Sequence, residues 1–362
     1  MRAAPKRILA LLAAALALSG CRGTDIKISS GTSPKSGITL DLPSDVTTSE
    51  PVFESAAEED TPPESKPAEP ETAPEPVEEF SLPEEFYLEM SGLIERYGLN
   101  PGCDGTESCS CRPEYEETDA EGNVTRPRDR IAAIYYRDLL SGYEYVLNPG
   151  AHFPVASTVK IPFCTLIYRK LSAGALDPEQ TLTYEERHYF GGTGDIVKGD
   201  FGQQFSISEL LTLAITVSDN VAYEMLKDIQ PWDEFSGFLS ENGCPHEEDS
   251  RLSKQKICAE SAGAYARILA GYLINTDDEF SETFRQDLLK TRLKMLKSNW
   301  NIYRKYGWTG FSLHDIAYVE APRPYVLAVL TNFSGEQDGD FEFFAEVSSI
   351  VEKFSQPQIS DE

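Results

Sequence analysis

The sequence predicts an α+β fold: an antiparallel sheet with helices on its faces and a helical insertion between its halves. Three observations carry this. Two strand-like runs near 130–147 flank a turn-forming stretch, helical periodicity dominates from 157 to 295, and three further strand-like runs with a closing helix fill 302–354. Two strands and three make five, and short connections between neighbours demand antiparallel pairing.

The first 80 residues stand apart from this fold. Arg2, Lys6 and Arg7 precede an apolar run over 8–18, which then meets Leu18-Ser19-Gly20-Cys21. The run is about half of what a bilayer span needs, so it reads as a signal h-region. The small residues before Cys21 resemble a bacterial lipobox, in which the cysteine is lipidated and becomes the new N-terminus. Ordinary secretion with Cys21 retained is the alternative. Both routes export the chain, and the first places it on the outer face of the bacterial cell membrane, with lipidated Cys21 as its membrane contact. No later segment is apolar for long enough to span a bilayer.

Residues 22–80 are crowded with Glu, Asp, Pro, Ser and Thr and hold much of the net charge of −28. Such a stretch buries too little apolar surface to offset its ordering entropy and is expected to be a disordered tether. Its reach as a coil is on the order of 45 Å. The acidity argues against nucleic acid, which selects a basic stripe, and a monomer is expected.

The folded part is expected to comprise an N-terminal helix and cysteine-bearing insertion over 81–130 and a main domain over 131–357. Phe86, Leu88, Met90, Leu93, Ile94 and Tyr97 recur at helical spacing after a Ser81/Pro83 start signal. Residues 101–129 are polar and read as an insertion loop. Strands are predicted over 130–137 and 143–147, with 139–142 as the turn. Ser157 is expected to open a helix to about 172, before Gly174, with Pro162 early enough that its missing N–H costs little. Further helices are predicted over 208–229, 260–274 and 279–295. Strands follow over 302–309, 315–320 and 325–331, with turns at Phe311 and 322–324, and 341–354 closes the chain as a helix.

Six cysteines follow Cys21, an even number in an oxidising compartment. Cys103, Cys109 and Cys111 share a polar loop, and Cys244 and Cys258 bracket another. Disulfides of open connectivity are expected. A metal site at the first cluster is the alternative, although no histidine stands at zinc-finger spacing. Cys164 lies on the apolar side of a predicted helix and is expected to be a buried thiol.

The chemistry concentrates in Ser157-Thr158-Val159-Lys160 and Ser218-Asp219-Asn220. Serine is a poor nucleophile until something accepts its proton, and residues three apart on a helix share a face, so Lys160 can serve Ser157. The lysine pKa must first fall, through desolvation or a nearby cation such as Lys305. A serine with a lysine three residues on arises by chance roughly every few hundred residues. Ser253 and Lys256 form one such decoy, with no Ser-Asp-Asn after it.

The ordered set distinguishes Ser157 from that decoy. Phe153 through Pro162 surround the serine, then come Gly191-Gly192-Thr193-Gly194, Thr216-Val217-Ser218-Asp219-Asn220, and Lys305-Tyr306-Gly307-Trp308. With these motifs the sequence over about 130–354 resembles the penicillin-recognising serine enzymes, class A β-lactamases most closely. The resemblance implies a β-lactamase/transpeptidase-like fold, with a five-stranded sheet and an all-helical subdomain. It further implies that Ser157 is acylated, that Lys160 is a base and that Ser218 relays the proton to the leaving nitrogen. Asn220 would hold the substrate's amide side chain, Lys305 would attract its carboxylate, and the N–H groups of Ser157 and Trp308 would form the oxyanion hole. The implied partner is a small-molecule β-lactam or a peptidoglycan peptide, with no cofactor and no metal.

Two departures matter. Tyr306 stands where the family has threonine or serine, and its bulk would reshape the carboxylate pocket beside Gly307 and Trp308. Residues 242–256 are short and lack the family's glutamate–asparagine pattern for deacylation; Glu247 and Glu248 there read as solvated loop charges. Three functions follow: β-lactam opening, a D,D-carboxypeptidase or esterase acting on cell-wall peptides, or an inactive tethered binding module. His314-Asp315 suggests a Ser–His–Asp triad, but adjacent strand residues face opposite ways, so a structural or rim role is expected for His314.

Overall fold

A computed structural model describes residues 80–102, 117–118, 124–126, 129–244 and 256–357. The signal and tether, Cys103, Cys109, Cys111, Glu247, Glu248 and Ser253 lie outside the described residues.

In chain order the elements are α1 (Glu84–Arg96), β1 (Glu117–Thr118), β2 (Val124–Arg126), β3 (Ala132–Asp138), β4 (Glu144–Leu147) and β5 (Phe153–Pro154). A 3₁₀ turn (Ala156–Val159) leads into α2 (Lys160–Ser172), followed by β6 (Thr181–Thr183), β7 (Gln204–Ser206), α3 (Ile207–Thr216), α4 (Asn220–Leu226) and α5 (Trp232–Glu241). Then come β8 (Lys256–Ile257), α6 (Ala259–Asn275), α7 (Glu279–Leu289), β9 (Asn301–Thr309), β10 (Ser312–Glu320), β11 (Tyr325–Thr331) and α8 (Glu342–Ser355).

The central sheet has five antiparallel strands in the order β4-β3-β11-β10-β9. The β11 strand is apolar throughout because it is buried on both faces. Val326, Ala328 and Leu330 enter one apolar layer and Tyr325, Leu327 and Val329 the other, the period of two that a strand imposes. In the first layer α6 packs on the sheet, and α2 and α3 continue the same apolar cluster behind it. The second lies under α1 and α8, where Phe86, Met90 and Leu93 share a core with Phe344, Val347 and Val351. The fold class is therefore the one the sequence predicts.

Four expectations need correction. Ser157 sits on the 3₁₀ turn and not in an α-helix. The 208–229 segment is two helices, because Ser218 adopts φ 60° and the Asp219 side chain starts α4 anew by accepting from the Ala222 N–H at 2.9 Å. The α7 helix stops at Leu289, and the Arg292 N–H instead reaches back to the Thr216 carbonyl at 2.9 Å. Cys258 is a thiol at the N-cap of α6, 3.5 Å from the Ser261 hydroxyl, so no bridge joins it to Cys244. Cys164 is a buried thiol, as expected.

Candidate active site

The turn that carries Ser157 is fixed from three sides. Before it, Phe153 and Pro154 pair with Ile257 and Lys256 of β8. Below it, the His314 ring accepts from the Thr331 N–H through Nδ1 at 3.2 Å, so Nε2 carries the proton and donates to the Pro154 carbonyl at 2.9 Å. Burial drives the His314 pKa down to about 4, so the ring is neutral. Beside it runs Gly307 of β9. A Cβ at that position would stand 2.9 Å from Thr158 Cγ2, 3.0 Å from the Ala156 Cβ and 3.3 Å from the Ser157 nitrogen. Glycine is what lets the strand approach the serine turn. Ala156, immediately before the serine, has φ 50°, a left-handed conformation that a non-glycine residue holds only when its surroundings enforce it.

The second motif sits in the break between α3 and α4. Asp219 organises it: one carboxylate oxygen accepts from the Asp195 N–H at 2.6 Å and the Ile196 N–H at 2.8 Å, and the other caps α4. Gly194, at φ 146°, makes room for this, since a Cβ there would collide with the Asp219 carboxylate. The same loop grips Ser218 and Asn220 from above. Thr193 Oγ1 donates to the Ser218 carbonyl at 3.0 Å, and Asn220 Nδ2 donates to the Gly191 carbonyl at 2.9 Å.

Lys160 joins the two motifs. Its Nζ lies 2.8 Å from the Ser218 carbonyl, 2.9 Å from Asn220 Oδ1, 3.2 Å from the Asp219 carbonyl and 3.3 Å from the Ser218 hydroxyl. Three of these partners only accept, which favours the ammonium; the hydroxyl alone can donate to a neutral amine. Burial pushes the other way and lowers the Lys160 pKa to about 7. Both protonation states are then accessible near neutral pH.

Lys305 is also fully buried, and its pKa is driven well below the usual lysine range, first by burial and then by the nearby charge of Lys160. Its Nζ donates to the Tyr306 carbonyl at 3.1 Å and lies 4.0 Å from the centre of the Tyr306 ring. Burial raises the Tyr306 phenol pKa, an effect that the charge of Arg292 and the hydroxyl of Ser218 partly offset. Trp308 is 46% exposed and ties its indole N–H to the Ser334 carbonyl at 2.7 Å.

The structure thus brings Lys160, Ser218, Asn220, Lys305 and Tyr306 together, with Gly307 packed against the turn of Ser157. His314 is wholly buried and structural, not at a rim. Asp315 faces away from it and accepts from the Met295 and Leu296 N–H groups at 3.2 and 3.0 Å, which excludes the triad. Sequence reasoning missed Asp219 as the organiser of the second motif, and Arg292, which pairs with Asp195 at 3.3 Å. The adjacency of Asp219 to Ser218 was a visible signal for the first; Arg292 had none. Among the described residues no cluster suited to a metal ion occurs.

Similarity to known proteins agrees with this fold. PBP-A shares the fold at a TM-score of 0.54 and 20% identity, covering 63% of this chain and 91% of PBP-A. An ancestral class A β-lactamase gives 0.54 at 18% identity, over 74% of this chain and 99% of the other. A β-lactamase from Sphaerobacter thermophilus gives 0.53 at 17%, over 62% and 91%. No curated protein sequence matches the chain. The model of the Beta-lactamase enzyme family matches residues 123–354, the stretch that holds the sheet, the helical block and every motif just described, so the chain belongs to the β-lactamase enzyme family.

Proposed function

We propose that the protein is a serine hydrolase that forms an acyl-enzyme on Ser157, with opening of a β-lactam ring as its reaction. The observation that carries this is the Lys160 amine, buried, with a pKa of about 7, and 3.3 Å from the Ser218 hydroxyl. A neutral amine accepts the Ser157 proton as Oγ bonds to the carbonyl carbon. The proton then passes from Lys160 through Ser218 to the departing nitrogen as the C–N bond breaks. Water later hydrolyses the ester and restores the serine. Asn220 keeps one amide hydrogen and one oxygen lone pair beyond its bonds to Gly191 and Lys160, enough to orient a substrate amide.

Family membership supports the β-lactam as substrate. The second reading, a D,D-carboxypeptidase or esterase acting on cell-wall peptides, draws on the absence from 242–256 of the family's glutamate–asparagine pattern. A labelled penicillin separates them: turnover supports the first, and a stable adduct at Ser157 the second. Ser157→Ala is expected to abolish labelling and Ser253→Ala to leave it intact. Equal labelling of the two variants would refute the site, and no labelling of the unaltered chain would leave an inactive binding module.

A further inference from the structure

Tyr306 covers Lys305. The lysine is wholly buried, its amine is engaged by the Tyr306 carbonyl at 3.1 Å, and the phenol ring lies 4.0 Å from it on another side. The ring is itself only 6% exposed and belongs to the apolar layer that includes Leu296 and Leu313, so it is held in place by packing. A threonine or serine at 306 would leave the amine uncovered by any ring. Here the phenol ring lies over that amine.

The charged groups around the phenol do not replace the covered lysine. Lys160 is committed to Ser218, Asp219 and Asn220. Arg292 is near enough for its charge to act on the phenol, but it is paired with Asp195 at 3.3 Å, and both side chains are more than half exposed, so together they offer no net charge. A carboxylate entering this subsite would give up its hydration without an accessible counter-charge. An uncharged carbonyl loses little hydration and can accept one hydrogen bond from the phenol.

We infer that the subsite beside Tyr306 takes an uncharged hydrogen-bond acceptor of the acyl donor, an ester or a carboxamide, in the place where a carboxylate is otherwise held. This rests on the acyl-transfer reading of Ser157, and the test separates the two. Benzylpenicillin and its methyl ester differ only in that charge. Their second-order acylation rates on the full chain are compared by intact-protein mass spectrometry, with Ser157→Ala as the blank.

The ester is expected to acylate about tenfold faster or more. Tyr306→Phe, which keeps the ring and removes the hydroxyl, should shrink that advantage, whereas Tyr306→Thr should shrink or reverse it by uncovering the amine. The double variant Arg292→Ala/Asp195→Ala, which removes both members of the pair, should leave the preference unchanged. A faster reaction with the acid in the unaltered chain overturns the inference while leaving acyl transfer intact. A selective loss of the acid reaction in that double variant also overturns it, by making Arg292 the anchor. If neither probe acylates Ser157, the acyl-transfer reading fails and the inference falls with it.

Discussion

On the proposed mechanism, burial of Lys160 sets the pH at which Ser157 is activated. An ordinary lysine, with a pKa of 10.5, is about 0.1% neutral at about pH 7.5, whereas one with a pKa of about 7 is roughly three-quarters neutral. The displacement corresponds to about 5 kcal/mol against the charged form, and because Lys160 is wholly buried no solvent screening reduces it. Acylation of Ser157 by a reporter penicillin should therefore rise about tenfold per pH unit from about pH 5 and level off above about pH 7. Lys160→Arg, which cannot deprotonate, should lose at least about a hundredfold and recover nothing at high pH. The sign of the accompanying stability change is fixed. Below pH 7 folded and unfolded chains both carry the proton, and the fold bears the whole cost of a buried charge. Between about 7 and 10.5 the unfolded chain binds more protons, so stability rises with pH. Lys160→Met should thus stabilise the fold more at about pH 6 than at about pH 10. A flat acylation profile, or a half-point near 10, would refute the assignment of Lys160 as the base.

Two further outcomes test the supports of the serine turn. Gly307→Ala places a methyl group 2.9 Å from Thr158 Cγ2 and 3.3 Å from the Ser157 nitrogen; acylation should fall by about ten- to a hundredfold, at a cost of about 1–3 kcal/mol in urea unfolding. Unchanged acylation would show that the turn yields freely. His314 has a folded pKa of about 4 against 6.5 unfolded, so stability should fall by up to about 3 kcal/mol as pH drops from 6.5 to 4. His314→Gln should flatten that slope, and equal slopes in urea titrations would contradict a neutral buried ring.

The sheet was legible because its β11 strand is apolar on both faces from Tyr325 to Leu330, and β9 and β10 precede it as a hairpin about Phe311. The helical block was legible as helical but not in its joints. Local periodicity runs straight through 208–229, and only the tertiary demand that Ser218 face Lys160 breaks it there. The α5 helix and the short pairs β5–β8 and β6–β7 were missed, since two- and three-residue strands leave no periodic trace. Motif spacing identified Lys160, Ser218 and Lys305 as partners. The bulk of Tyr306 showed that the pocket would be reshaped but not that the ring would lie over Lys305, because ring placement depends on the apolar layer behind it and not on the neighbouring letters.

The most direct test of the central claim is to digest the penicillin-treated protein and find the residue that carries the added mass. The peptide holding Ser157 should carry it, with the mass on that side chain and lost again on mild alkaline treatment, as an ester requires. Mass on any other residue would contradict acyl transfer at this serine.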